Sequence, residues 1–229
     1  MKYIIFDYDG TLHNSIKIYK PAFLKAYDYL ISNGYAKEKE FSESEISQYL
    51  GLSAKDMWNT FMPNLPNSEK EKCSSIIGEA MLQYISEGKA KLYDGTIETL
   101  NQLKLTGYKL IFLSNCKVSY MRSHIEAFKL DKYFIDFFCS EYYDFKPKYE
   151  IFEFIKEKYK GDFIVVGDRY VDMELAEKHN LKFIGCNYGF GKTDELLNAN
   201  YIINNFNEIL DIGAVSDWIN KFSLNTTPF

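Results

Sequence analysis

The sequence predicts a doubly wound, Rossmann-like α/β fold: a mainly parallel sheet core with an all-helical domain inserted into it. Three observations carry this. Five short apolar runs, at residues 3–6, 109–113, 163–166, 182–186 and 201–203, are continuous rather than alternating, as strands covered on both faces of a parallel sheet are. Helical patterns separate most of them. Between the first run and the second lie about a hundred residues, far more than one crossover needs.

Taken in order, the first run ends in Asp7-Tyr8-Asp9-Gly10-Thr11-Leu12. Residues 15–90 then hold no strand pattern. They hold helical stretches at 16–32, 43–50, 54–61 and 68–87, with a loop around Pro63 and Pro66. Ser42 with Glu45 fits a capping box, and Gly88 stands where a helix would close. The expected division is therefore a core of 1–14 and 91–229 with a helical domain of 15–90. Leu92-Tyr93-Asp94-Gly95 leads back into the core. In the helix at 96–105, Ile97, Leu100 and Leu103 fall on neighbouring turns, and Gly107 stops it. Further helices are expected at 118–128, at 149–159 (Ile151, Phe152, Phe154, Ile155) and, more weakly patterned, at 170–179. A helix at 216–222 and a tail at 223–229 finish the chain.

Composition narrows the function. With 46% apolar and 26% charged residues, the chain has the balance of a soluble globular protein able to bury a sizeable core. Its 17% aromatic content reads as packing within that core. A net charge of −5 and no basic stripe exclude a nucleic-acid footprint; lysines between 156 and 160 alternate with Glu157 and read as a solvated helix face. The apolar N-terminal run is too short for a signal peptide or a membrane span, so a cytoplasmic protein without a membrane partner is expected. Cys73, Cys116, Cys139 and Cys186 are spaced too widely for a metal-ligand or redox pair and read as reduced thiols. An acidic protein that takes an anion must concentrate positive charge locally, which directs attention to metal ions, single lysines and helix N-termini.

Four motifs do this, each at the carboxyl end of an expected strand or on the turn before a helix, where open α/β sheets bind ligands. Asp7 and Asp9, two apart, repel unless a cation sits between them or one holds a proton, and Gly10 and Thr11 follow in the turn. Ser114 and Asn115 close the second run, where a hydroxyl and the next helix N-terminus suit an oxyanion; a plain helix cap is the other reading. Lys146 precedes Pro147, which fixes a turn and makes this lysine the candidate cation for phosphate. Gly167-Asp168 with Asp172 supplies two more carboxylates, the hard oxygen ligands magnesium requires. Singly, each also reads as ordinary turn or helix-end polarity. Together they are a set that neutralises and positions a phosphoryl group.

In this order and spacing the motifs resemble those of the haloacid dehalogenase (HAD) superfamily, in its phosphatase branch with a helical cap after the first strand, similar in layout to phosphoglycolate phosphatases and β-phosphoglucomutases. The resemblance covers the whole chain. It implies a magnesium-dependent phosphatase acting on a small phosphorylated molecule, with Asp7 as nucleophile and Asp9 as acid and base. Asp7, Asp9 (through its carbonyl) and Asp168 would hold Mg²⁺, and Asp172 would support the metal. Ser114, Asn115 and Lys146 would bind phosphate, with Gly10 and Thr11 shaping the turn. A phosphomutase using the same intermediate, or a phosphonate hydrolase, is the alternative. Asn14 stands where many relatives carry Asp. His13 reads as a hinge residue, with a titrating role as its alternative. Gly51, Leu52, Ser53 and Lys55 fall where relatives present cap residues to substrate.

Overall fold

The computed structural model describes residues 1–213 and 215 of the chain; the helix expected at 216–222 and the tail after it lie outside the described residues. The sheet has six parallel strands, β1 (Lys2–Phe6), β2 (Lys109–Ser114), β3 (Phe134–Cys139), β4 (Asp162–Gly167), β5 (Lys182–Cys186) and β6 (Tyr201–Ile203). Their spatial order is β3-β2-β1-β4-β5-β6. The chain thus winds outward from β1 in both directions. The crevice beside β1 is the switch point where such sheets place ligands.

Four helices lie between β1 and Gly95: α1 (Ile16–Ser32), α2 (Glu43–Ser47), α3 (Ala54–Phe61) and α4 (Asn67–Ser86). Phe23 of α1 anchors their shared core, packing its ring against Tyr27, Phe41, Tyr49 and Phe61. The capping box forms at α2: Ser42 Oγ accepts from the Glu45 amide at 3.2 Å, and the Glu45 carboxylate accepts from the Ser42 amide at 2.9 Å. That helix stops three residues earlier than the pattern predicts, where the chain turns toward Gly51, whose φ of 84° is left-handed.

Beyond the insertion come α5 (Thr96–Leu105), α6 (Val118–Phe128), α7 (Lys148–Lys158) and α8 (Tyr170–Lys178). Side chains of a strand alternate between its faces. Ile4 and Phe6 of β1 therefore join one core, with Leu100 and Leu103 of α5 and Met121 of α6. Tyr3 and Ile5 join the other, with Ile151, Phe152 and Ile155 of α7 and Leu175 of α8.

The two connections to the helical insertion run side by side. The Asn14 amide donates to the Lys91 carbonyl and the Tyr93 amide to the Leu12 carbonyl, both at 2.9 Å. His13 and Leu92 form an antiparallel bridge between them. Strand β3 was not expected. It is an edge strand whose apolar run is broken by Asp136, and that carboxylate takes the Lys158 ammonium at 2.8 Å and the Tyr159 hydroxyl at 3.0 Å. Among the described residues, no helix is long and apolar enough to cross a membrane.

Candidate active site

Asp7 follows β1 directly, and its amide extends the ladder to the Val166 carbonyl at 2.9 Å. The chain then coils tightly, with the Leu12 and His13 amides both donating to the Tyr8 carbonyl at 2.9 Å. Gly10 sits in this coil at φ 88°, a left-handed conformation that favours glycine. A side chain there would also collide with Asp168, whose Oδ2 lies 2.2 Å from where a Cβ would be.

Asp168 and Asp172 are delivered by β4 and α8. Asp172 occupies the third position of α8, and its Oδ2 accepts from the Arg169 amide at 3.2 Å. Asp168 Oδ2 accepts from the Phe190 amide at 2.6 Å. Carboxylate oxygens of Asp7, Asp168 and Asp172 lie within 4.8 Å of one another, all buried. Thr11 Oγ1 spans Asp7 at 3.5 Å and Asp168 at 3.4 Å.

The cation of this cluster is Lys148, the first residue of α7. Its ammonium is 2.5 Å from Asp7 Oδ1 and 2.6 Å from Asp172 Oδ1, with the side chain 3% exposed. Burial alone would lower its pKa, but Asp172 and Asp7 outweigh burial and raise it. The same burial pushes Asp7 well up, against the pull of Lys148, and Asp172 and Asp168 push it further. Burial and then Asp172 raise Asp168 to about 7.

Lys146, the lysine the sequence pointed to, is not brought to this site. It is exposed, with its ammonium 5.7 Å from the centre of the Phe154 ring. Asp144 and Phe145 are both left-handed, with φ near 53° and 56°, and this turn carries Lys146 outward before Pro147 starts α7. The helix start then aims Lys148 at the sheet's carboxyl edge.

The Asp9 side chain stands outside the carboxylate cluster. Its Oδ1 accepts from the Tyr120 hydroxyl at 2.7 Å and from His13 Nδ1 at 2.8 Å. Burial would raise its pKa, but the His13 hydrogen bond and charge, with smaller help from His124 and Tyr120, lower it. His13 is fully buried and packs on His124 at 4.4 Å between ring centres. His124 is driven to about 3 by burial and by His13, and shares a 2.7 Å hydrogen bond with the Tyr8 hydroxyl.

Ser114 is buried and Asn115 exposed, and both line the cleft. Neither caps α6. Lys117 holds that position, and the first helical amide, of Val118, donates to Glu141 at 2.7 Å. The widely spaced Cys116 and Cys139 become neighbours, since β2 and β3 pair Ser114 with Cys139; each thiol is the largest influence on the other, raising Cys116 and lowering Cys139 to about 7.

A cleft of about 420 Å³ opens above Asp7 and Asp9, between the strand ends and the inserted helices. Gly51 and Leu52 line it; Lys55 is exposed and outside the lining. Arg169, passed over in the sequence, ties the two sides together. Its Nε lies 2.9 Å from Glu195 Oε2, and its Nη1 donates to the Leu50 carbonyl.

The fold and this arrangement define an α/β protein with a buried carboxylate–lysine centre at the carboxyl ends of its central strands, under a helical insertion. Residues 4–186 match the haloacid dehalogenase-like hydrolase family, and the chain belongs to that family. It is 24% identical to a phosphoglycolate phosphatase of Vibrio parahaemolyticus over 94% of this chain and 97% of that one. Among solved structures, it is similar to a predicted phosphoglycolate phosphatase from Haemophilus somnus, with a TM-score of 0.78, 20% identity and coverage of 92% and 97%. It is also similar to a predicted phosphatase from Clostridium acetobutylicum, with a TM-score of 0.70, 27% identity and coverage of 92% and 99%.

Proposed function

We propose that this protein is a magnesium-dependent phosphatase that hydrolyses a small-molecule phosphate monoester through Asp7. One observation carries the reading: Asp7 stands at the end of the central strand, held by Lys148 at 2.5 Å, and opens onto the cleft beside Asp9. The relative named a phosphoglycolate phosphatase supports the reaction class.

In the first step a carboxylate oxygen of Asp7 attacks phosphorus, the bond from phosphorus to the ester oxygen breaks, and Asp9 gives that oxygen its proton. Both hydrogen-bond donors to Asp9 are spent on Oδ1, so Oδ2 is the oxygen left to carry the proton. In the second step Asp9 takes a proton from water as it attacks the aspartyl-phosphate, releasing phosphate and restoring Asp7. Lys148 offsets the repulsion between an anionic nucleophile and an anionic ester. It takes the phosphate-binding role expected of Lys146, beside Ser114 and Asn115.

The donor set fits a divalent cation. Three clustered carboxylates share one ammonium, so protons or a further cation must balance the remaining negative charge. Asp7, Asp168, Asp172 and the Asp9 carbonyl would hold Mg²⁺, which when bound supplies positive charge to the phosphoryl oxygens. Residues 15–90 form the cap in this reading, and residues 1–14 with 91 onward form the core; the paired connectors at 12–14 and 91–93 support that boundary.

The test is phosphate release from a panel of monoesters with magnesium present. Asp7→Asn is expected to lose about a thousandfold or more, and exhaustive chelation to abolish turnover. An Asp7→Asn protein as active as the parent sinks the proposal. Isomerised sugar phosphate in place of free phosphate would assign a phosphomutase instead.

A further inference from the structure

The cleft above Asp7 has two chemically different walls. The wall from the strand ends carries the acids and cations already described. The wall from the inserted helices carries Tyr19, Tyr49, Leu50, Met57, Ile77 and Met81. Among the described residues lining that wall, none is Lys, Arg or His, and Glu79 is its one charge. Of its serines, Ser15 is buried, with no hydrogen-bond partner for its hydroxyl among the described residues, while Ser74 and Ser75 are turned back to their own helix. Ser74 donates to the Lys70 carbonyl at 2.7 Å and accepts from Trp58 Nε1 at 2.8 Å, while Ser75 donates to the Glu71 carbonyl at 3.1 Å.

The opposite wall offers little to a second anionic group. Lys148 is shared by two carboxylates, and Arg169 is engaged by Glu195 and the Leu50 carbonyl. Exposed Lys117 is the other cation of the lining. An anionic leaving group pressed to the helical wall would lose water without gaining a counter-charge.

Gly78 adds an independent sign. It lies inside α4, where glycine is a poor helix former. Its φ is not left-handed, and a Cβ built there meets nothing within 4 Å. Neither backbone strain nor packing accounts for it. It lines the cleft, and the missing side chain leaves that space open.

We infer that the cleft selects phosphate monoesters whose alcohol is uncharged and carries an apolar, ring-sized body, over esters of short acids such as glycolate. This rests on the phosphatase reading above. The cleft's volume of about 420 Å³ has room for such a body beside the phosphoryl group.

The experiment compares kcat/KM for benzyl phosphate, 2-phosphoglycolate and glycerol 3-phosphate with magnesium present. All three are esters of primary alcohols, so leaving-group reactivity does not decide the order. Benzyl phosphate is expected to lead 2-phosphoglycolate by about tenfold or more. Gly78→Leu is expected to fold with an undiminished melting temperature and to lower kcat/KM for benzyl phosphate by a similar factor. Met81→Lys is expected to shift preference toward 2-phosphoglycolate. A wild-type preference for 2-phosphoglycolate, or a Gly78→Leu protein with unchanged benzyl phosphate kinetics, overturns the inference. Calorimetric binding of benzylphosphonate against phosphonoacetate separates the two levels. Tighter benzylphosphonate binding with no Asp7-dependent release from any ester retires the phosphatase reading and keeps the cleft assignment; tighter phosphonoacetate binding overturns the assignment itself.

Discussion

The ammonium of Lys148 lies 2.5 Å from Oδ1 of Asp7, closer than its 2.6 Å contact with Asp172. Removing one partner of a buried ion pair leaves an uncompensated charge behind. Lys148→Met is therefore expected to cost about 3 kcal/mol of stability near neutral pH, and about a hundredfold or more in kcat/KM. Lys146→Met, on the exposed turn, is expected to stay within about 0.5 kcal/mol of the parent, with unchanged kinetics. Denaturant melts and steady-state rates on the two variants decide which lysine serves the site. Equal effects from both would contradict the assignment.

Tyr120 and His13 both donate to Asp9 Oδ1, at 2.7 and 2.8 Å. Hydrogen bonds to the ionised form hold a carboxyl's pKa down, and here they outweigh burial. Tyr120→Phe is expected to let the Asp9 pKa rise, moving the matching limb of the pH–rate profile to higher pH. His13→Ala is expected to move it further, because His13 is the larger influence on Asp9. Profiles that superimpose on the wild type would show that neither residue tunes Asp9.

Asp168 is raised to about 7, by burial and then by Asp172. A carboxyl whose pKa is higher folded than unfolded binds more protons in the native state between the two values. Metal-free protein should therefore lose the Asp168 contribution to stability as pH rises from about 4, the unfolded value, to about 7. In the proposed function magnesium would compete with those protons, so its stabilising effect is expected to be larger at pH 8 than at pH 5. Thermal melts with and without magnesium across this window check both statements. Asp168→Asn is expected to flatten the metal-free slope and shrink the magnesium effect; an identical slope in that variant would assign the dependence to other groups.

Five of the six strands were legible because each is a continuous apolar run, the pattern of a strand buried on both faces. Edge strand β3 was not, because Asp136 interrupts its run, and pairing across the sheet supplies what local pattern lacks. Asp7 and Asp168 could be read because carboxylates directly after a buried strand are conspicuous, and Asp172 because it repeats the acid four residues on. The lysine was misplaced by two residues for an identifiable reason. Lys148, Ile151, Phe152 and Ile155 are the buried positions of α7, at the spacing of one helix face. Starting that helix one residue earlier would have put Lys148 on its inward stripe and Lys146 off it. The pairing of His13 and Tyr120 on Asp9 spans 107 residues of sequence and depends on where α6 docks, which no local signal carries.

Gly10 offers the sharpest test of how closely the turn is fitted to the carboxylate cluster. Its φ of 88° is unfavourable for alanine, and a Cβ would fall 2.2 Å from Asp168 Oδ2 and 2.6 Å from its Cγ. Asp168 is closely surrounded: a Cβ at Gly189 would fall 2.3 Å from its Cβ, and one at Gly191 would fall 1.8 Å from its carbonyl oxygen. Gly10→Ala must therefore displace the Asp7–Leu12 coil, Asp168, or both. The expected result is a loss of about 2 kcal/mol or more in stability, with kcat/KM falling further than the melting temperature alone explains, because Asp7 and Asp168 no longer share one geometry. Gly34→Ala is the matched control. Gly34 has a left-handed φ of 77°, but nothing lies within 4 Å of its Cβ position. That variant isolates the backbone penalty and is expected to leave kcat/KM unchanged. If Gly10→Ala behaves like Gly34→Ala in both measurements, the turn is not coupled to the acidic cluster as the geometry requires.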